Sequence, residues 1–144
     1  MGMRFLDADL LRDLTGYPVR DDYKCPDEPD VLPDADAFVV APATFNTTNK
    51  VAAGISDALA LGLINEAIGM GKPVIMAPWP NKQLVKHPAF PRSVEVLTEA
   101  GVRFVLDRAA LPLPGSGRPG AATFPWAVVH SALASAKDES LASS

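Results

Sequence analysis

The chain is poor in the residues that build several kinds of site. It has one cysteine, Cys25, in 144 residues, so no internal disulfide can form and a reducing, cytoplasmic setting is expected. Its two histidines, His87 and His130, lie far apart, and with a lone thiol they do not make a metal cluster. No Ser-His-Asp arrangement can be assembled from them either. Aromatic residues make up only 7%, so the core has to be built from Ala, Val, Leu and Ile. No apolar run reaches the roughly 20 residues of a membrane span. The longest candidate, Val51 to Met70, is interrupted by Asp57, Asn65 and Glu66. The amino end, Met1 to Asp7, has no signal-peptide core, and Leu6 breaks the myristoylation pattern. Basic charge is also in deficit: 13 Lys and Arg against 17 carboxylates give a net charge of −4, which argues against a nucleic-acid surface.

The apolar content is substantial. At 48% hydrophobic the chain is globular in composition, and its length suits one domain with a buried core. The charge is uneven: residues 1–36 carry ten carboxylates against four Lys and Arg, while residues 37–144 carry seven against nine. The second part is therefore mildly cationic and compatible with a small anionic ligand.

Local pattern divides the chain into alternating elements. Asp7 caps a short helix that Gly16 stops, with Leu10, Leu11 and Leu14 on one face. Tyr17 to Pro33 is a Pro- and Asp-rich loop. Ala37 to Ala41 is an apolar, β-branched run that reads as a buried strand, closed by Pro42. Thr44, Asn46, Thr47 and Thr48 follow, residue types that accept backbone N–H bonds at helix starts. From Thr47 to Gly69 the apolar positions Val51, Ile55, Ala58, Leu59 and Leu63 keep helical spacing, which predicts one long helix. Lys72 to Pro78 is a second strand, Ser93 to Ala100 a helix, Val102 to Leu106 a third strand. Leu111 to Phe124 is a Pro- and Gly-rich loop fitted to be a lid, and Trp126 to Ala136 is a closing helix. Lys137 to Ser144 is expected to be a frayed tail.

Alternating strands and helices mean a parallel sheet with right-handed crossovers. Three strands are few for a self-sufficient sheet of this kind. The expectation is a single domain over residues 1–136 lacking an N-terminal βα unit, which lies upstream or comes from a partner. In such sheets ligands bind where strands end and helices begin, since the first helical N–H groups are free and partly positive. Two stretches meet that description: Thr44 to Thr47 after the first strand, and Trp79 to Asn81 after the second.

Pro42-Ala43-Thr44-Phe45-Asn46-Thr47 resembles the Pro-Ala-Ser-Ala-Asn-Thr motif of the homo-oligomeric flavin-containing cysteine decarboxylases, the phosphopantothenoylcysteine decarboxylase-like family. The helix from Lys50 to Leu59 resembles that family's too, and Pro78-Trp79-Pro80-Asn81 stands at the place of its second motif. The similarity runs over residues 5–106. It implies a flavodoxin-like or Rossmann-like three-layer α/β sandwich and FMN bound across a subunit interface, commonly in trimers. It further implies Thr44, Phe45, Asn46 and Thr47 lining the flavin, Trp79 beside it, and Asn81 on the substrate carboxylate. The activity implied is oxidation of a small or peptidyl thiol followed by decarboxylation. An Asn amide, with both donor and acceptor, suits a flavin edge or a carboxylate.

The chain departs from the family pattern in four places. Glu28 to Leu32, where the family has its base histidine, contains none; His87 is the candidate substitute. The second motif carries Pro80 and Leu84-Val85 in place of its Met and Met-Trp residues. Gly115-Ser116-Gly117-Arg118 survives without the lid Cys that precedes it in one branch. The flavin-phosphate loops would fall before residue 1. Plainer roles stand beside each functional one: Asn46 and Thr47 as helix caps, Trp79 as a plug between subunits, Asp57 as a solvated mid-helix residue, His130 as structural. Gly115, Gly117 and Gly120 spell G-x-G-x-x-G, but Pro112, Pro114 and Pro119 and the lack of a preceding strand exclude the dinucleotide motif. The alternative to an enzyme is a non-catalytic flavin-binding or regulatory subunit of the same fold; a third is a Rossmann-like domain binding another nucleotide.

Overall fold

The computed structural model describes residues 6–25, 27–29, 31–117 and 122–143. Among them, three parallel strands form one sheet in the order β1-β2-β3: β1 (Phe38–Ala43), β2 (Val74–Pro78) and the short β3 (Arg103–Phe104). Five α-helices accompany them: α1 (Ala8–Thr15), α2 (Phe45–Ala52), α3 (Leu59–Gly69), α4 (Ala89–Glu99) and α5 (Trp126–Ala142). The order is that of successive β–α–β crossovers, as the alternation of patterns predicts.

β2 is central and buried at every position, and its apolar Val-Ile-Met-Ala-Pro run leaves nothing for solvent. Its register is Phe38 with Val74, Val39 with Ile75 and Val40 with Met76 on one side, and Ile75 with Arg103 on the other. The two faces separate cleanly. Val74 and Met76 join Leu61, Ile64, Ala67 and Leu97 in the main core beneath α3 and α4. Ala77 packs on the opposite face against Phe124 and Val129 of the α5 region. The result is a three-layer α/β sandwich.

The helix expected over Thr47–Gly69 is two helices. α2 ends at Ala52 because Gly54, at φ 71°, turns the chain. The Gly54 N–H then reaches Val51 O at 3.0 Å and the Ile55 N–H reaches Lys50 O at 2.9 Å, the paired bonds of a Schellman stop. Apolar spacing continued through Ile55 and Ala58 and hid this signal. Asp57 accordingly sits in the connection rather than mid-helix, and its carboxylate meets Lys50 at 2.6 Å.

Other boundaries shift by less. β1 runs on through Pro42 to Ala43, with a cis Ala41–Pro42 bond and a register irregularity between Val40 and Ala43. α4 starts at Ala89, four residues early, because Pro91 falls in the first turn, where no N–H is needed. α5 continues to Ala142, past the frayed end expected from Lys137; the Glu139 carboxylate holds Arg103 of β3 at 2.5 Å. α1 forms as expected, with Asp7 capping Leu10 N–H at 3.0 Å, yet no residue of it is buried. Arg118 and Gly120 of the glycine-rich loop lie outside the described residues.

Candidate functional site

β1 and β2 end side by side. The Trp79 N–H donates to Ala43 O at 2.9 Å, so the turn after β2 is tied to the last residue of β1. Both polar stretches singled out in the sequence therefore occupy the same end of the sheet.

The first turn is a capped helix start. Thr44 has an extended backbone, and its Oγ1 accepts the Thr47 N–H at 3.0 Å while lying 3.0 Å from Thr47 Oγ1. Fully buried Thr48 donates its hydroxyl to Thr44 O at 3.0 Å, which anchors the turn from below. In an α-helix the N–H groups of Phe45 and Asn46 have no acceptor within the helix. Asn46 is exposed, and its side-chain amide forms no hydrogen bond among the described residues. That arrangement offers two backbone donors and one amide to a ligand edge.

Aromatic rings frame these donors. Phe45 is partly buried and stacks on Phe90 at 6.4 Å, with His87 edge-on at 5.7 Å. Phe90 is wholly buried and carries the Arg108 guanidinium 5.9 Å from its ring centre. Trp79 is partly buried, edge-on to Phe124 at 5.4 Å, and Phe124 in turn meets Trp126 at 4.7 Å. Phe90, Phe124 and Arg108 do not stand out in the sequence. Their signal is faint, because each sits in a loop or helix start and converges on the strand ends only through the fold.

Asn81 and His87 have definite internal duties. Asn81 Oδ1 accepts the N–H groups of Gln83 and Leu84 at 3.0 and 3.1 Å and so fastens the chain leading into the short 3-10 turn Leu84–Lys86. This leaves its Nδ2 donors uncommitted among the described residues. His87 is exposed, and its Nδ1 accepts the Ala89 N–H at 3.1 Å at the start of α4. A neutral imidazole bonded this way carries its proton on Nε2, so the free edge of the ring is a donor.

The structure thus brings Thr44, Phe45, Asn46, Thr47, Trp79, Asn81 and His87 to one end of the sheet. Two hollows lie away from these residues. One of about 810 Å³ runs beside the start of β1, between Phe38, Leu63, Met70 and Leu32. Another of about 400 Å³ lies under the strand starts, by Val74, Gly101 and Arg103. The strand-end residues form a polar shelf framed by aromatic rings.

A parallel α/β sandwich with a polar, aromatic-framed shelf at its strand ends is the framework of a nucleotide-cofactor domain. The chain matches the Flavoprotein family over residues 4–135 and belongs to it. Among curated proteins it is similar to a cysteine/cysteine sulfinic acid decarboxylase from an unidentified prokaryote, 35% identical over 58% of this chain and 20% of that protein. It is also similar to the coenzyme A biosynthesis bifunctional protein CoaBC of Bacillus subtilis strain 168, 38% identical over 49% of this chain and 17% of that one. The chain spans about a fifth of the length of these relatives. Among solved structures, the FMN-dependent cysteine decarboxylase SpaF aligns with a TM-score of 0.57 at 27% identity, covering 81% of this chain and 64% of that one. HAL3 from Cryptococcus neoformans aligns with a TM-score of 0.55 at 25% identity, over 73% of this chain and 50% of that one. Among the described residues no helix is long and apolar enough to cross a membrane, and no group of His, Cys, Asp and Glu is placed to hold a metal.

Proposed function

We propose that this chain forms part of an FMN site and serves flavin-dependent oxidation and decarboxylation of a small or peptidyl thiol carrying a carboxylate. The observation that carries the reading is the bond from Trp79 N–H to Ala43 O. It sets two polar turns at neighbouring strand ends, so one planar ligand can meet both.

The donor set fits a flavin. The Phe45 and Asn46 N–H groups and the Asn46 amide suit the carbonyl and imide edge of the ring system, and the Trp79 indole flanks it. Thr44 and Thr47 bond each other, which holds these donors in place, and line the flavin with the capacity their hydroxyls keep. The flavin, when bound, supplies a two-electron acceptor for the thiol. Asn81 Nδ2 is a donor for the substrate carboxylate, its orientation set because Oδ1 is held by the Gln83 and Leu84 N–H groups. His87, with Nδ1 occupied, acts through Nε2–H as a donor beside Phe45. Assembly into a homo-oligomer, a trimer or a multiple of one, belongs to this reading, supported by the exposed apolar side chains Trp126, Val128 and Leu133 on α5.

A second reading is favoured by that same His87 geometry and by the absence of a histidine over residues 28–32: a flavin-binding subunit without a catalytic base. Two measurements separate the possibilities. Titration with FMN, followed by flavin fluorescence, should show binding that Asn46→Asp weakens at least about tenfold, roughly 1.4 kcal/mol, with no change in the melting curve. Equal binding by the variant removes Asn46 from the site. Anaerobic bleaching of bound flavin by a peptide ending in cysteine, lost in Asn81→Asp, marks an enzyme; flavin that binds and never bleaches marks the subunit.

A further inference from the structure

Positive charge collects where the strands end. Three segments leave those ends: residues 44–49 after β1, 79–92 after β2 and 105–113 after β3. Of the chain's 17 carboxylates they hold one, Asp107, against Lys82, Lys86, Arg92 and Arg108. The whole chain has a net charge of −4, so this end stands apart from the rest. Elsewhere cations are matched: Arg12 pairs with Asp9, Lys50 with Asp57 and Arg103 with Glu139. Among the described residues none of the four strand-end cations makes an ion pair. Asp107 gives its Oδ1 to the Ala109 N–H at 2.9 Å.

Packing joins these segments. The Lys82 N–H donates to Pro112 O at 2.9 Å, which ties the chain after β2 to the chain after β3. Val85, Phe90 and Leu111 form one apolar cluster, with Phe45 packed against it. Lys86, Arg92 and Arg108 are exposed and Lys82 is half-buried. Arg108 has a fixed seat: its guanidinium stands 5.9 Å from the centre of the Phe90 ring, and Phe90 backs Phe45. A guanidinium on a ring face keeps its N–H fork for a carboxylate.

A single phosphate needs donors that converge on it, whereas a row of carboxylates meets cations one by one. The four here come from separate places in the chain, and among the described residues no two share an acceptor. We infer that this surface holds an acidic peptide, its Asp or Glu side chains set against Lys82, Lys86, Arg92 and Arg108, with Arg108 taking a carboxylate in its fork. Of the substrates in the flavin reading this selects the peptidyl one, and to that extent rests on it. The hold of the cations on the peptide requires no flavin.

Each exposed ion pair is weak and screened by salt, so binding should depend on peptide charge and on ionic strength. The probe is a fluorescein-labelled peptide of about ten residues, half of them Glu, ending in Cys and kept reduced; its counterpart has Gln for Glu. Anisotropy with the 144-residue chain, without FMN, should show the Glu peptide bound at least about tenfold tighter at ~50 mM salt, and the two within about twofold at ~500 mM. Arg108→Gln should cut that advantage at least about threefold. Lys86→Glu with Arg92→Glu, both exposed positions, should erase it without moving the melting curve, and Arg12→Gln on α1 should leave it intact. Equal binding of the two peptides by the unaltered chain overturns the proposal, as does an advantage that survives the double variant or is lost in Arg12→Gln. Displacement of the peptide by inorganic phosphate at ~10 mM and constant ionic strength means a phosphate site instead, and overturns it too. A chain that prefers the Glu peptide but never binds FMN keeps the acidic surface and loses the flavin reading; one that binds FMN but treats both peptides alike does the reverse.

Discussion

Tyr23 and Gly62 show how one atom can hold a loop. The Tyr23 hydroxyl lies 3.1 Å from Ser56 O and 3.0 Å from Ala58 O, so it fastens the loop before β1 onto the α2–α3 connection. It reaches them across Gly62, where an added Cβ would stand 2.5 Å from the hydroxyl oxygen. Glycine inside a helix costs about 1 kcal/mol against alanine, and here it leaves room for the phenol. Gly62→Ala should therefore leave global stability nearly unchanged, since the higher helix propensity of alanine offsets the displaced Tyr23 hydrogen bonds. The loop should come free: trypsin should cut after Arg20 and Lys24 several times faster than in the unaltered chain. Unchanged cleavage would mean that Tyr23 does not hold the loop. Asn46 and Asn81 are readable at this scale from sequence, because their neighbours in the chain place them at strand ends. The fixed orientation of the Asn81 amide is not, since it depends on the 3-10 turn that follows.

At the scale of elements, the instructive case is the break between α2 and α3. Apolar spacing through Val51, Ile55 and Leu59 supports one continuous helix, and two form. The decision falls to Gly54 and to Asn65, whose Nδ2 donates to Ile55 O at 3.2 Å and lies 2.9 Å from Ser56 Oγ. Periodicity reports which residues are apolar, not whether the backbone between them stays helical. Ile55 itself is 42% exposed, so its place in the pattern is coincidental. Gly54→Ala forces a side chain into the left-handed region at φ 71°, at a cost of roughly 1–2 kcal/mol. Reduced freedom of the unfolded chain returns a few tenths of that. Thermal denaturation should show a midpoint about 2–4 °C lower. An unchanged or raised midpoint would show that α2 can run on past Ala53 without strain. Where glycine closes a helix without a competing pattern, as Gly16 does after α1, the stop is legible.

Across the whole molecule, two cores of different composition share one sheet. The main core is aliphatic, from Leu61, Ile64, Val74 and Met76. The strand-end layer is aromatic, with Phe45, Phe90, Trp79 and Phe124 supporting the shelf. Phe90 is the keystone of that layer: it is wholly buried, packs with Val85 and Leu111, and backs Phe45. Phe90→Ala should cost about 3–5 kcal/mol in chemical denaturation. FMN binding should fall as well, because Phe45 loses the surface that positions it. Phe90→Leu, which keeps most of the volume, should restore stability more fully than flavin binding. If both variants bind flavin as the unaltered chain does, the aromatic layer is packing alone.

The residues in their order were enough to settle the alternation of strands and helices, the parallel sheet, and the two polar turns where strands give out. Each of these depends on partners within a few positions, and propensity, capping and proline placement act over that range. Only the folded chain decided that α2 and α3 are separate, that His87 turns its Nδ1 to a backbone N–H, and that Phe45 leans on Phe90. Those outcomes depend on groups far apart in the chain, brought within bonding distance by strand register and helix packing, which no short stretch encodes.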